Sequence, residues 1–262
     1  MKLAFSSNAY LKHPFDETAE RIAAIGYDGL ELLADVPHAW PAGLLEGPKK
    51  AIREAMARTG LEFSNINAFM MNAVADHRQP YWHPSFGQLL PGLPAADHTR
   101  RALDLCAELG APHITTEPGG PIPPGVSRAQ AVDQFVEVLK PLAEHAEKLG
   151  ILLLIEPEPE LLLERTDQYV EIHERVGSEA LGLNFDVGHA FCMSEDLPKA
   201  IAALAPLTRH YHLEDIAATR VHHHMVPGDG VIDFAEVVSA IKSTGYDGWL
   251  TVELYPFQDD PD

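Results

Sequence analysis

The chain has 262 residues, of which 46% are apolar, and this length suits one large α/β domain or two small ones. Acidic residues outnumber basic ones by 39 to 19, and the net charge of −20 disfavours nucleic acid as a partner, because such binding depends on cations that neutralise phosphates. With two cysteines, no signal-like start and no apolar run near the roughly 20 residues of a membrane span, we expect a cytoplasmic protein without membrane contact or disulfide framework.

A helix-forming segment, a glycine and a short apolar strand recur as one unit along the chain. The unit appears first in "ETAERIAAIGYDGLELL", and its "GYDG" joint returns near the end in "VVSAIKSTGYDGWLTVEL". Each glycine lies where a helix end needs a left-handed residue, and the apolar runs alternate little, as in strands buried on both faces. The repeat therefore predicts alternating helices and parallel strands.

Eight strands are predicted, and they begin at about residues 2, 29, 61, 113, 151, 181, 208 and 249. This number favours a single α/β domain over residues 1–262, a (β/α)8 TIM barrel. A doubly wound sheet is the alternative, but it normally has fewer strands and a glycine fingerprint after the first strand, where "SSNAY" stands. No helix pattern follows "TVELY", so we expect the eighth helix to be short or missing, and a second copy in a homo-oligomer could cover the last strand.

Two long connections, residues 70–96 and 117–128, follow predicted strands and would therefore lie on the catalytic face of a barrel. The first is rich in proline, methionine and aromatic residues, and the second is mostly proline and glycine. Connections of this length in a compact domain are often lids or binding loops.

Four consecutive predicted strands end in residues of metal-binding types: Glu156, Asp186, His212 and Glu253. Neighbouring strands lie about 4.8 Å apart, so these side chains can converge at one mouth of the barrel. Burying three carboxylates together without a cation would be costly through repulsion and desolvation. The set predicts a divalent-metal site that suits Mn²⁺ best, with Co²⁺, Mg²⁺ and Zn²⁺ as alternatives.

A metal flanked by two glutamates suits the removal of a proton from a carbon next to a carbonyl group. The metal stabilises the enediolate, and a carboxylate on each face of the substrate can take and return the proton, which gives epimerisation. Return of the proton to the neighbouring carbon gives aldose–ketose isomerisation.

Five segments resemble the sugar phosphate isomerase/epimerase family of xylose-isomerase-like TIM barrels: "IEPEP", "NFDVGHA", "HLED", "VPGDGVIDF" and "VELY". That superfamily also includes ketose 3-epimerases and apurinic endonucleases. The resemblance covers essentially the whole chain and implies that the metal quartet is Glu156, Asp186, His212 and Glu253. It also implies that Glu156 and Glu253 are the catalytic acid/base pair.

Three adjacent histidines precede a glycine-rich turn in "RVHHHMVPGDG". In an extended segment His222 and His224 share a face and His223 points away. The endonuclease branch of the superfamily has metal ligands at the positions of this pair and of His189, and another ligand near Glu117. In the isomerase branch the residue matching His189 binds a substrate oxygen. A second metal site and a substrate contact are therefore both open, and a solvated loop is a third interpretation of the pair.

Three further residues are weaker candidates for substrate contacts: Glu158, Asn67 and His38. Glu31 lies too early in its strand to be predicted as a ligand, and His98 is predicted to be a surface residue.

The turn at Gly228 and Gly230 precedes a predicted helix with Asp233 as its N-cap. A phosphate group could rest on the exposed N–H groups of such a turn, although capping alone also explains the pattern.

The function favoured by these patterns is a divalent-metal-dependent isomerase or epimerase that acts on a small carbohydrate, namely a sugar, a sugar phosphate or a cyclitol. One alternative is a multinuclear metal-dependent phosphoester hydrolase built on the endonuclease-like constellation. Another is a metal-dependent lyase or deglycosidase on an oxidised sugar, because the same proton abstraction can expel a leaving group.

Overall fold

The computed structural model describes residues 1–69 and 94–262, and it contains the eight predicted strands. The strands are β1 (Lys2–Ser6), β2 (Gly29–Leu33), β3 (Glu62–Asn67), β4 (His113–Thr116), β5 (Leu152–Ile155), β6 (Leu181–Asp186), β7 (Thr208–Leu213) and β8 (Trp249–Val252). Each strand begins within one residue of its predicted start.

One helix follows each of the first five strands, two follow β6 and one follows β7. The helices are α1 (Phe15–Ile25), α2 (Glu46–Thr59), α3 (Pro94–Leu109), α4 (Arg128–Leu149), α5 (Gln168–Val176), α6 (Val187–Cys192), α7 (Leu197–Leu204) and α8 (Phe234–Ser243). Short 3-10 helices lie at Ser7–Tyr10 and Tyr255–Phe257.

The strands form a closed parallel barrel in chain order, and β8 pairs with β1 through Lys2 opposite Trp249 and Phe5 opposite Val252. Closure confirms the predicted (β/α)8 barrel, because a doubly wound sheet would stay open. After β8 the described chain forms the one-turn 3-10 helix Tyr255–Phe257.

The first "GYDG" joint, residues 26–29, shows how glycine permits a tight helix-to-strand connection. Gly26 ends α1 with a φ of 108°, and its N–H donates to the carbonyl of Ala23. Gly29 is needed for a different reason, since a Cβ there would lie 2.6 Å from the ring of Trp249 and 2.9 Å from the carbonyl oxygen of Glu62. The joint thus lets β2 pack closely against its neighbours.

Polar side chains fill part of the barrel interior below its carboxyl-terminal mouth. Asn65, Asn184 and His210 are fully buried, and His113 is 5% exposed. Outside this layer a continuous apolar cluster joins the strands to the surrounding helices. A buried polar layer therefore lies directly below the mouth, where the side chains of the candidate site are.

Two expectations from the sequence need correction. The first long connection was expected to run to residue 96, but α3 begins at Pro94, and residues 70–93 of that connection lie outside the described residues. His98 was expected on the surface, but it is 3% exposed and its ring stacks on Trp40 at 4.9 Å between centroids. An aromatic neighbour from a distant segment buries this imidazole, and helix periodicity carries no signal for such a contact.

Over the described ranges, 1–69 and 94–262, no helix combines the length and the apolar character needed to cross a membrane.

We predict that Gly29→Ala lowers the free energy of unfolding by about 1–3 kcal/mol, because the added Cβ meets a backbone oxygen and a packed indole ring. Gly43→Ala is the matched control: Gly43 does not have a positive φ, and a Cβ there would make an ordinary contact 3.6 Å from the ring of Trp40. That variant should be about as stable as the wild type, because no neighbour has to move to admit the methyl group. Urea denaturation measures both, and equal stabilities of the two variants would contradict the packing argument.

Candidate metal centre and active site

The four predicted metal ligands converge at the carboxyl-terminal mouth of the barrel. The Nδ1 atom of His212 lies 2.7 Å from Oε1 of Glu156, 3.6 Å from Oε2 of Glu253 and 3.9 Å from Oδ2 of Asp186. One potential ligand atom from each of the four residues lies within 4.8 Å of all the others. All four residues are buried, so their charges interact with little screening by water.

Neighbouring groups hold the carboxylates in place. Glu253 accepts hydrogen bonds from the side-chain amides of Asn8 at 2.8 Å and Asn67 at 2.9 Å. Asp186 is the N-cap of α6, and its Oδ1 accepts from the backbone N–H of His189. Its other oxygen, Oδ2, is buried and has no hydrogen-bond partner among the described residues. The carboxylates of Glu253 and Asp186 are thus oriented, and an oxygen of Asp186 remains for another ligand.

The electrostatics of this cluster favour a bound cation. Burial raises the pKa of Glu156 to about 8, although the charge of His212 opposes this shift. Burial is also the main cause that raises the pKa of Asp186 and holds the pKa of Glu253 well above its usual value. Burial lowers the pKa of His212, but the charges of Glu156, Glu31 and Glu253 together raise it well above its ordinary value. Protons therefore compensate the buried negative charge.

A divalent cation would replace those protons and would satisfy the buried oxygen of Asp186. Three carboxylates and one imidazole form a donor set that suits Mn²⁺, Mg²⁺ or Co²⁺ and also accepts Zn²⁺. On these grounds the residues fit a metal.

A second cluster of three histidines lies beside the quartet. His189, His222 and His224 each offer a ring nitrogen, and these nitrogens lie within 4.8 Å of one another. His189 and His224 are buried, whereas His222 is half-buried and His223 is exposed. The sequence prediction that His222 and His224 share a face, with His223 outside, agrees with this arrangement.

Backbone carbonyl groups set the tautomers of two of these histidines. Nδ1 of His189 lies 3.0 Å from the carbonyl oxygen of Pro157, and Nδ1 of His224 lies 2.8 Å from that of Glu253. Because a carbonyl only accepts, both Nδ1 atoms carry the proton. Nε2 of His189 keeps an unused lone pair, whereas Nε2 of His224 lies 3.1 Å from Nε2 of His222 and accepts from it. Burial and the neighbouring imidazoles hold the pKa values of His189 and His224 well below the usual value. The cluster is therefore neutral and presents nitrogen donors.

The cleft between the two clusters is the candidate substrate site. Its lining combines Phe69, Glu156, Glu158, His189, His222, His224, Glu253 and Tyr255. Glu158, predicted as a substrate contact, thus reaches the cleft, and burial together with the charge of Glu117 raises its pKa well above the usual range.

The remaining weak candidates have other positions. Glu117 is half-buried and lies near enough to Glu158 to influence its charge. Asn67 contacts Glu253, as described above. His38 lies with Nδ1 3.2 Å from Oγ of Ser7 and Nε2 3.2 Å from the carbonyl oxygen of His13, so both ring nitrogens already have partners.

Sequence reasoning missed three residues that contact the quartet or its neighbours. Asn8 follows β1 in "SSN", and Glu31 reaches His212 with Oε2 2.7 Å from Nε2. Glu214 is fully buried, and one of its carboxylate oxygens lies within 4.8 Å of ligand atoms of Asp186 and His224. A Cβ on Gly188 would lie 1.7 Å from its Oε1. Polar residues near strand ends in "SSN" and "HLED" were the available signal for Asn8 and Glu214, whereas Glu31 is a lone acidic residue in the middle of the apolar strand "GLELL".

The turn at Gly228 and Gly230 is not open to a phosphate group. One carboxylate, that of Asp215, accepts from the N–H groups of Gly228 at 2.9 Å, Gly230 at 3.0 Å and Ile232 at 3.0 Å. The suggestion that a phosphate could rest on these groups is therefore wrong, because an internal anion already occupies them. Asp233 is the N-cap of α8, as predicted.

Comparison with known proteins places the chain in a family. The model of the xylose isomerase-like TIM barrel family matches residues 19–262, and the chain belongs to this family. Fructoselysine 3-epimerase of Escherichia coli O157:H7 is 25% identical over 97% of this chain and 90% of its own length.

Two solved structures illustrate the shared fold. A D-tagatose 3-epimerase-like protein superposes with a TM-score of 0.78 at 24% identity, covering 97% of this chain and 91% of its own. The IOLI protein, solved with a bound zinc atom, superposes with a TM-score of 0.74 at 20% identity, covering 99% and 92%. The family membership expected from the sequence motifs is confirmed.

We predict that the affinity for Mn²⁺ rises with pH between about 6 and 8. Below the raised pKa of Glu156, about 8, the metal-free chain holds a proton that the cation must displace, so lower pH weakens binding. Each displaced proton contributes about a tenfold change in affinity per pH unit. Isothermal titration at pH 6, 7 and 8 measures this slope, and an affinity independent of pH would show that the quartet is not protonated in this way.

Proposed function

We propose that the chain is a divalent-metal-dependent isomerase or epimerase that acts on a small carbohydrate. The observation that carries the proposal is the convergence of Glu156, Asp186, His212 and Glu253 within 4.8 Å at the mouth of the barrel. Two of these residues are glutamates from strands β5 and β8, which flank the strands that carry the other two.

The comparisons support the same class of reaction. The curated relative is named as a 3-epimerase of a ketose derivative, and the matching structure is described as similar to a ketose 3-epimerase. The structure with zinc belongs to a protein of the same fold, which supports a divalent metal in this one. We propose Mn²⁺ as the native metal, with Co²⁺, Mg²⁺ or Zn²⁺ as alternatives, because oxygen donors dominate the set.

Glu156 and Glu253 are proposed as the acid/base pair. When bound, the metal would polarise the substrate carbonyl and make the neighbouring C–H bond more acidic. One glutamate takes the proton from carbon, and the other supplies a proton from the opposite side. Burial raises the pKa of both carboxyl groups in the metal-free site, and a bound metal would compete with the protons they hold.

The remaining lining residues would bind and orient the sugar. The free lone pair on Nε2 of His189 can accept a hydrogen bond from a substrate hydroxyl group, because Nδ1 already donates to Pro157. Glu158 can accept another. Phe69 and Tyr255 provide apolar surface at the edge of the cleft. These contacts would hold the reacting carbon between the two glutamates.

The proposal predicts exchange of a carbon-bound hydrogen with solvent. Mn²⁺-loaded protein is incubated in D₂O with ketohexoses such as fructose, tagatose and psicose, and deuterium at C3 and epimer formation are followed by NMR. Glu156→Gln and Glu253→Gln should each lower the rate by about 10²–10⁴-fold, the usual contribution of a general acid or base.

Glu54→Gln is the control for that experiment, since Glu54 is exposed on α2 and pairs only with Lys50 among the described residues. It should leave the rate unchanged. Metal content is measured for every variant, which separates loss of metal from loss of the acid/base group. Formation of a shortened or dehydrated product in place of an epimer would favour the metal-dependent lyase or deglycosidase instead.

A multinuclear metal-dependent phosphoester hydrolase is the second candidate, and the neutral cluster of His189, His222 and His224 is the observation that favours it. In this hypothesis the cluster holds an additional metal, and Glu117 would be a further ligand near the cleft. Imidazole nitrogens suit Zn²⁺, so the cluster and the quartet would prefer different ions.

Metal stoichiometry separates the two candidates. If the cluster binds an ion, His224→Ala should lower the zinc content by about one per chain, whereas the exposed neighbour His223→Ala should not change it. Elemental analysis of protein purified without chelator and loaded with Zn²⁺ gives the counts. One ion per chain in all three proteins would support the mononuclear isomerase or epimerase.

A further inference from the structure

We propose that Glu31 is a positioning residue for the metal centre, because its carboxylate holds His212 in the tautomer that can coordinate a metal. The role rests on the proposed metal centre at the quartet. It concerns a residue that lies outside the quartet and on a different side of the barrel.

The imidazole of His212 lies between two sets of carboxylates. Its Nδ1 points toward the quartet, with Glu156 at 2.7 Å, and its Nε2 lies 2.7 Å from Oε2 of Glu31. Glu31 belongs to β2 and His212 to β7, so this contact crosses the interior of the barrel instead of joining neighbouring strands. Both side chains have no exposed surface, and bulk water cannot replace either partner.

The hydrogen bond decides which nitrogen is available. A neutral imidazole carries one N–H group, and a nitrogen that coordinates a metal must present a lone pair. For Nδ1 to coordinate, the proton must lie on Nε2, where it donates to Glu31. Without Glu31 that N–H would be buried without an acceptor, which is unfavourable. The proton would then favour Nδ1, where Glu156 at 2.7 Å can accept it in competition with the side-chain amide of Asn184 at 3.3 Å. A protonated Nδ1 cannot coordinate a metal.

Glu31 is itself held in position before any metal binds. The side-chain amide of Asn65 donates to Oε2 of Glu31 at 2.7 Å and also contacts Oγ1 of Thr115 at 2.7 Å. The side-chain oxygen of Asn65 also has a partner, since Oδ1 lies 2.8 Å from Nδ1 of His113. The network fixes the carboxylate without using any residue of the quartet. Partners of this kind, behind the metal ligands, orient the ligand and raise its basicity, and their loss typically weakens metal binding by about 10–100-fold.

The test measures metal affinity and does not depend on turnover. Wild type, Glu31→Leu, Glu31→Gln and the control Glu62→Gln are stripped of metal, and each is titrated with Mn²⁺ and Co²⁺ in competition with a chelator. Glu62 is exposed on β3 and pairs with Lys2, so it provides the same substitution away from the barrel interior. The melting temperature of each metal-free protein reports the structural effect separately.

We expect Glu31→Leu to bind both ions about 10–100-fold more weakly than wild type. Glu31→Gln should lose less, about threefold to tenfold, because its amide oxygen still accepts the hydrogen bond but without the charge. The control should match wild type. In Zn²⁺-loaded protein with ¹⁵N-labelled histidine, long-range NMR correlations should place the remaining proton of His212 on Nε2.

The outcomes separate this role from the metal centre itself. If wild type binds no divalent ion, both the proposed centre and the role of Glu31 are wrong. If wild type binds and both Glu31 variants bind as tightly, only the role of Glu31 is wrong. Should Glu31→Leu fail to fold, Glu31→Gln decides, since a folded variant with unchanged affinity and an unchanged His212 tautomer contradicts the proposal.

Discussion

Burying Glu156, Asp186 and Glu253 around one nitrogen of His212 concentrates negative charge where water screens it poorly, and the architecture of the mouth follows from that cost. The charge is compensated by hydrogen bonds, by shared protons or by a cation. The side-chain amide of Asn8 reaches the same point from the 3-10 helix after β1. Because these groups lie at or directly after the ends of different strands, closure of the barrel brings them together.

The quartet and the histidine cluster are connected by hydrogen bonds, although their chemistry differs. The carboxylate of Asp186 accepts from the backbone N–H of His189, and the backbone carbonyl of Glu253 accepts from Nδ1 of His224. The residues of the quartet therefore help to position two of the three histidines. The acidic quartet suits harder ions, whereas the neutral imidazoles suit Zn²⁺ or hydrogen bonds from hydroxyl groups. Both arrangements present their donors to the same cleft, which matches a polyhydroxylated substrate.

The loop after β7 shows how the fold stabilises the face that carries the site. Asp215 uses both carboxylate oxygens on the backbone of the glycine turn, and Gly230 must lack a side chain because a Cβ would lie 2.4 Å from the carbonyl oxygen of Ile216. Asp215 therefore fixes the conformation of this turn, which follows the histidine cluster in the chain. Members of one fold family differ in chemistry through such loops, so the family alone does not name the substrate.

The sequence by itself determined the eight strands and the barrel, and it predicted the four residues that converge as the quartet. Strand pattern and helix-ending glycines are local signals, and residues at the carboxyl ends of the strands lie at the mouth of a barrel. Only the tertiary structure decided the partners that act across the barrel. By its position in the sequence Glu31 is an early residue of its strand, yet its carboxylate contacts His212 across the barrel interior. Likewise His98 is buried by Trp40, and Asp215 fills the turn that a phosphate might have used. Contacts between distant strands depend on barrel closure and side-chain packing, for which neither periodicity nor spacing carries information.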